Sequence, residues 1–191
     1  PEYEEFLEED WLYEAITETY IPLLEMFENL TRDNIPWNLT LTMSGTLVNM
    51  LNDDLLRNRY VKHITKLVEF CEKEVERLKP YPDMIKVANH NLHVHKTAKD
   101  IFVNKYHKDL VGAFRGFQDQ GNLEIIPVTA THGFLPVMKD YPEAVNAQVY
   151  MAKKDYIKNF GRDPKGIWLA ECAYYPGQDK FLEKHGIRYF L

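Results

Sequence analysis

Cysteine is scarce in this chain: Cys71 and Cys172 are the only two among 191 residues, far apart and in no CxxC pair. Such usage suits a reducing compartment with free thiols, and one Cys71–Cys172 disulfide stays compatible with the count. Basic clusters are also lacking. The net charge is −6, so the chain gains nothing from counterion release on a phosphate backbone, and nucleic acid is excluded as an expected partner. No run of about 18 apolar residues occurs, so no membrane-spanning helix is expected. The opening PEYEEFLEED is acidic and polar, unlike a secretory leader. Together these absences point to the cytoplasm and to no membrane partner. Internal repeats and low-complexity segments are missing too.

What is present is a core-forming composition, 45% apolar and 27% charged, in a length that suits one domain or a large part of one. Aromatic residues reach 13%, with 12 Tyr, 10 Phe and 3 Trp. Such rings fill cores, and they also serve sugar clefts as stacking platforms. The chain starts at Pro1 and stops at Leu191 within GIRYFL, which reads as a strand. It is therefore expected to be a piece of something larger.

Apolar residues at Leu12, Ile16, Tyr20, Leu23, Leu24 and Phe27 give helical spacing over 9–30, with a kink expected at Pro22. WNLTLTM (37–43) alternates with period two, a strand. A long helical pattern runs over 46–78 and KPYP stops it. A second runs over 84–117, ragged around NHNLHVH. Strands follow at 123–128 and 166–169, with a helix over 143–160 between them. A short helix at 179–185, with Gly186 at its C-cap, precedes a last strand at 187–191. Strands separated by helices imply right-handed crossovers and a parallel sheet. The order alone does not separate an open doubly wound sheet from a barrel.

In α/β folds, ligands meet the carboxyl ends of the strands. Strand 123–128 runs into TATHGFLP, which holds Thr129, Thr131 and His132. Strand 166–169 runs into Glu171, Cys172 and Tyr174. His132 and Glu171 are thus expected at the same end of neighbouring strands. Each has a plainer reading. Glu171 also suits a solvated loop charge or a helix start, and His132 a hydrogen-bonded loop residue. Cys172 suits a small buried filler; no basic residue beside it in sequence marks it as a nucleophile. His90, His93 and His95 lie close together, but no carboxylate completes a ligand set, so ordinary solvated histidines are expected and no metal.

WLAECAY (168–174) resembles the catalytic-nucleophile motif of glycoside hydrolase family 57, in which Glu precedes Cys-Ala-Tyr. ATHGFLP (130–136) is similar to that family's second motif, at the expected distance before it. EEDWLYEAITETYIPLL (8–24) resembles the segment after the first motif in its α-1,4-glucan branching enzymes. GNLEII, GIWLAECAY and GIRYF follow in family order, and the resemblance covers nearly the whole chain, weakest over 79–105.

The resemblance implies an α/β fold of the parallel (β/α)7 barrel type, incomplete in this chain, with residues 1–191 forming part of a single catalytic domain. It also implies a retaining mechanism on an α-glucan with no cofactor. Glu171 matches the nucleophile, His132 a sugar contact at the cleavage subsite, and Trp11 an aromatic near the entrance. Cys172 follows the nucleophile as in the branching subgroup. Tyr174 is a candidate for supporting Glu171 or gripping sugar hydroxyls, and Tyr175 for an acceptor subsite. The first-motif His and the acid/base Asp match nothing between Pro1 and Leu191. The isolated segment is therefore expected to be inactive and to self-associate through exposed barrel edges. A branching enzyme of glycogen-like glucan is the leading reading. An α-amylase or 4-α-glucanotransferase of the same family and a non-catalytic glucan-binding module are its rivals. A metal-dependent deacetylase ranks last, because its Asp and paired His are not visible.

Overall fold

The computed structural model describes residues 6–191, so the first half of the acidic opening lies outside the described part. It divides into two units, one of residues up to Pro36 with Leu51–Ala113, the other of Trp37–Met50 with Phe114–Leu191.

The first unit is helical. Helices α1 (Leu7–Ala15) and α2 (Ile21–Arg32) form one run, in which Ile16–Tyr20 opens into a π-turn and the Ile21 N–H reaches back to the Ile16 carbonyl. This is the form the expected kink takes. Pro22 has no N–H and its ring crowds the carbonyl four residues back, and a widened turn moves that carbonyl aside. The predicted stripe is buried at Leu12, Ile16, Leu24 and Phe27.

The pattern over 46–78 splits into α3 (Gly45–Asn52) and α4 (Asp54–Arg77). Asp53 makes the break, because its carboxylate accepts the Leu56 N–H at 2.9 Å and starts a new helix. The pattern over 84–117 divides as well. Helix α5 (Met84–Asp100) ends in a π-turn, Ile101–Lys105. His107 and Lys108 then turn left-handed, with φ of 50° and 66°. Asp109 accepts the Gly112 N–H at 2.8 Å and begins α6 (Leu110–Gln120). Helices α4 and α5 pack along each other. The Tyr60 ring, fully buried, meets Phe102 edge-on at 4.6 Å.

The second unit holds all four described strands: β1 (Leu39–Thr42), β2 (Leu123–Ile126), β3 (Gly166–Ile167) and β4 (Tyr189–Phe190). β1 and β2 run parallel, Leu39 beside Leu123 and Thr42 beside Ile126, and β3 runs parallel to β4, Gly166 beside Tyr189. A single parallel bridge, Val128 to Trp168, joins the two pairs. The strands therefore follow chain order, without the reversal that marks a doubly wound sheet. The strands are shorter than the alternation predicts. Pro127 faces away from β1: its carbonyl accepts the Trp168 N–H at 2.9 Å, so its missing N–H falls on the β3 side, while the Met43 N–H still bonds the Ile126 carbonyl at 3.0 Å.

Helices α7 (Pro142–Phe160) and α8 (Asp179–Lys184) cover one face of this sheet. Their core joins Val145, Val149 and Leu182 to Ile167, Leu169 and Ile187. At Gly166 a Cβ would lie 2.2 Å from the Tyr189 ring, so the neighbouring ring occupies the space a side chain would need. No helix among the described residues is long and apolar enough to cross a membrane.

Two histidines set a pH dependence of stability. Burial lowers the pKa of His63, reinforced by His95 and Lys66 against the opposing pull of Asp10. Burial, then Lys184 and Lys153, lower that of His185. A histidine whose folded pKa is depressed binds fewer protons than in the unfolded chain. Stability therefore declines as pH falls below the ordinary histidine value of about 6.5. Thermal unfolding followed at pH 7.5 and 5.5 is expected to show a lower Tm in acid, with a smaller drop in His63→Gln. An equal drop in that variant removes His63 as a cause.

Candidate active site

The carboxyl ends of β2 and β3 each run into a tight turn of unusual backbone. After β2, the His132 N–H bonds the Thr129 carbonyl at 2.9 Å, and the buried Thr129 hydroxyl donates to the Gly133 carbonyl at 3.1 Å. His132 is left-handed, φ 57°. Gln148 on α7 clamps this turn. Its side chain accepts the Thr131 N–H at 3.0 Å and donates to the Thr131 hydroxyl at 2.8 Å, while its carbonyl takes the Ala130 N–H at 3.1 Å. A Cβ on Gly133 would press on Gln148 at 3.0 Å, so glycine there keeps the clamp in place.

After β3, the Cys172 N–H closes a turn onto the Leu169 carbonyl at 2.8 Å. Glu171 and Cys172 are both left-handed, φ 59° and 53°. Left-handed backbone in residues with a Cβ costs about 1–3 kcal/mol each and concentrates where function demands a geometry. Neither residue is of the type that favours this region, whereas His132 is.

These two turns meet. His132 Nε2 lies 3.3 Å from Glu171 Oε1, with side chains 50% and 69% exposed. The carboxylate that ends an apolar strand thus stands in the open, free of the desolvation that burial would impose. The Trp168 ring packs against His132 with centroids 5.4 Å apart, and its indole N–H donates to Cys172 Sγ across 3.4 Å. Sequence reading quoted Trp168 only as part of a motif, and it missed Gln148, whose helix spacing carries no signal of its own.

Tyr174 does not turn to Glu171. Its hydroxyl donates to Asp179 at 3.0 Å, which raises its pKa, and its ring stacks on Phe190 at 5.3 Å. Tyr175 is not a surface platform either. It packs against the α7–α8 core with its hydroxyl buried and without a hydrogen-bond partner. The type II turn Tyr175–Gln178, with Pro176 and a left-handed Gly177, sends the chain inward there. Trp11 belongs to the other unit, on α1, with 58% of its surface exposed. His90 and His93 are exposed on α5, whereas His95 departs from a solvated role: its Nδ1 bonds the Asn91 carbonyl at 2.7 Å beside Cys71. Both cysteines are free.

The chain is 34% identical to a 1,4-α-glucan branching enzyme of Thermococcus kodakarensis over 96% of its own length and 29% of that enzyme's. Its fold superposes on the crystal structure of the α-amylase AmyC of Thermotoga maritima with a TM-score of 0.94, at 42% identity, over 100% of this chain and 36% of that one. A branching enzyme of Pyrococcus horikoshii gives 0.90 at 33% identity, over 95% and 37%. The chain thus spans about a third of the length of these relatives. The sequence profile of glycosyl hydrolase family 57 matches residues 1–191. The profile match over the whole chain, the identity to the branching enzyme and the superposition on the amylase agree: the chain belongs to glycosyl hydrolase family 57.

Proposed function

We propose that Glu171 is the nucleophile of a retaining α-1,4-glucan-active site, and that the full protein is a 1,4-α-glucan branching enzyme. The observation that carries this reading is the approach of His132 Nε2 to within 3.3 Å of the exposed Glu171 carboxylate at the ends of adjacent parallel strands. The carboxylate attacks the anomeric carbon as the glycosidic C–O bond breaks, and the leaving oxygen takes a proton from an acid/base carboxyl. A 6-hydroxyl of a second glucan then attacks the glycosyl ester, gives its proton to that same carboxyl, and frees Glu171. The acid/base must stand about 5–5.5 Å from Glu171, and this reading sets it in the two thirds of the relatives' length that this chain does not span. The barrel would be completed there as well. His132 grips the sugar at the point of cleavage, and Trp11, with its exposed ring, suits stacking on glucose units.

Branching is favoured by the relative at 34% identity named a branching enzyme and by the Glu171–Cys172 pairing. Hydrolysis is the second reading, favoured by the structure at 42% identity, which is named an α-amylase. The two differ only in whether a sugar hydroxyl or water takes the glycosyl group. A chain of the relatives' full length that carries residues 1–191, incubated with amylose, is expected to give new α-1,6 anomeric proton signals. Short linear maltooligosaccharides instead would establish hydrolysis, and maltoheptaose binding without turnover a silent binding module.

A further inference from the structure

We propose that Cys172 is a positioning residue of this site: its sulfur accepts the Trp168 indole N–H, and the indole so fixed holds the His132 imidazole on Glu171. The proposal rests on the reading of Glu171 as nucleophile for its effect on turnover, and on geometry alone for the contacts. Four side chains close a loop. Glu171 meets His132 at 3.3 Å, His132 meets the Trp168 ring at 5.4 Å between centroids, and Trp168 Nε1 meets Cys172 Sγ at 3.4 Å. Cys172 is covalently next to Glu171, which completes the circuit.

This loop gives the strained backbone a purpose. In an extended strand, consecutive side chains point to opposite faces. With Glu171 and Cys172 both left-handed, that alternation is lost, so the carboxylate reaches His132 while the thiol reaches the indole behind it. Trp168 is itself anchored by its backbone, since its N–H bonds the Pro127 carbonyl at 2.9 Å. The indole N–H is therefore the one donor left to set the ring's rotation. Sulfur is a weak acceptor, and at 3.4 Å it lies within reach of the indole N–H. Alanine at 172 would leave the N–H to water and the ring free to turn off His132. Serine would keep an oxygen acceptor in nearly the same place.

The chain has three tryptophans, Trp11, Trp37 and Trp168, so isotope-labelled indoles give three N–H resonances, and Trp168→Phe identifies the third by its loss. In Cys172→Ala, the Trp168 indole proton is expected to shift and exchange with water about fivefold faster, the weight of one modest hydrogen bond. The His132 ring resonances are expected to move with it. Cys172→Ser is expected to stay close to wild type in both. In the full-length protein, kcat on amylose is expected to fall about fivefold in Cys172→Ala at unchanged KM and to recover in Cys172→Ser. Trp168→Phe keeps a ring against His132 without the N–H. It is expected to match that loss, and the double variant to be no worse than either single one. Unmoved Trp168 and His132 resonances in Cys172→Ala overturn the proposal. So does a kcat that ignores a shift in both, or losses that add in the double variant. If Glu171→Gln proved active, the functional reading would fall, while the resonance response would still decide the positioning.

Discussion

Replacing Glu171 by Gln is expected to cut amylose turnover by about 10⁴-fold or more in a chain of the relatives' full length, the scale on which removal of a covalent nucleophile registers. Glucan affinity is expected to change little. The substitution keeps shape and an oxygen that can face His132, and it removes the charge and the nucleophilic lone pair. Because the Glu171 side chain is 69% exposed, no buried charge is disturbed, and the unfolding temperature is expected to hold. A loss of activity is then a loss of chemistry. Glu171→Ala adds a positive test. Azide fits the space vacated by the carboxylate and attacks the same carbon, so added azide is expected to restore cleavage and yield a glucosyl azide of inverted anomeric configuration. Unimpaired Glu171→Gln, or an azide product with retained configuration, would remove Glu171 from the covalent step. The 191-residue chain by itself is expected not to turn over amylose, since the second carboxyl is assigned elsewhere.

Parts of this molecule are legible in the sequence because they follow from short-range rules. The apolar stripe from Leu12 to Phe27 reads as a buried helix face, and it is one. Pro22 forecasts a disturbance, though not its form, because a kink and a π-turn relieve the same ring clash. The helix breaks at Asp53 and Asp109 were missed, since both residues lie inside runs whose apolar periodicity continues; only their capping bonds to Leu56 and Gly112 reveal them. Strand ends were overdrawn for a related reason. Alternation marks where a strand suits the residues, and not how far a neighbouring strand runs beside it to complete the ladder.

The rule that strand carboxyl ends carry function placed His132 and Glu171 side by side without any distance information, and they are in contact. What it cannot convey is rotation within the turns. Left-handed backbone at Glu171 and Cys172 leaves no trace in residue type, because neither is Gly or Asn. For the same reason Tyr174 could not be read as bonding Asp179, nor Tyr175 as joining the core. Barrel against open sheet was undecided because periodicity fixes faces and not register. The Val128–Trp168 bridge fixes the order of the four described strands, and the match to family structures carries the barrel type.

Arg59→Met is expected to lower the stability of the helical unit by about 3–5 kcal/mol, the range seen when one partner of a buried ion pair is removed. Glu9 on α1 is 5% exposed, and Arg59 on α4 donates to its Oε1 from a side chain only 14% exposed. The Tyr13 hydroxyl donates to Glu9 Oε2 at 2.8 Å, and burial together with this carboxylate holds the Tyr13 pKa well above its ordinary value. Without the guanidinium, Glu9 keeps one neutral donor against a full buried charge. At about 2–4 °C per kcal/mol for a chain of this size, the Tm is expected to drop by roughly 10 °C. The companion variant separates desolvation from packing. If the damage comes from a stranded charge, adding Glu9→Leu to Arg59→Met should restore much of the stability, since an apolar pair of similar volume is often as stable as a buried ion pair. A double variant no more stable than Arg59→Met alone would instead assign the loss to the packing of the arginine stem against α1.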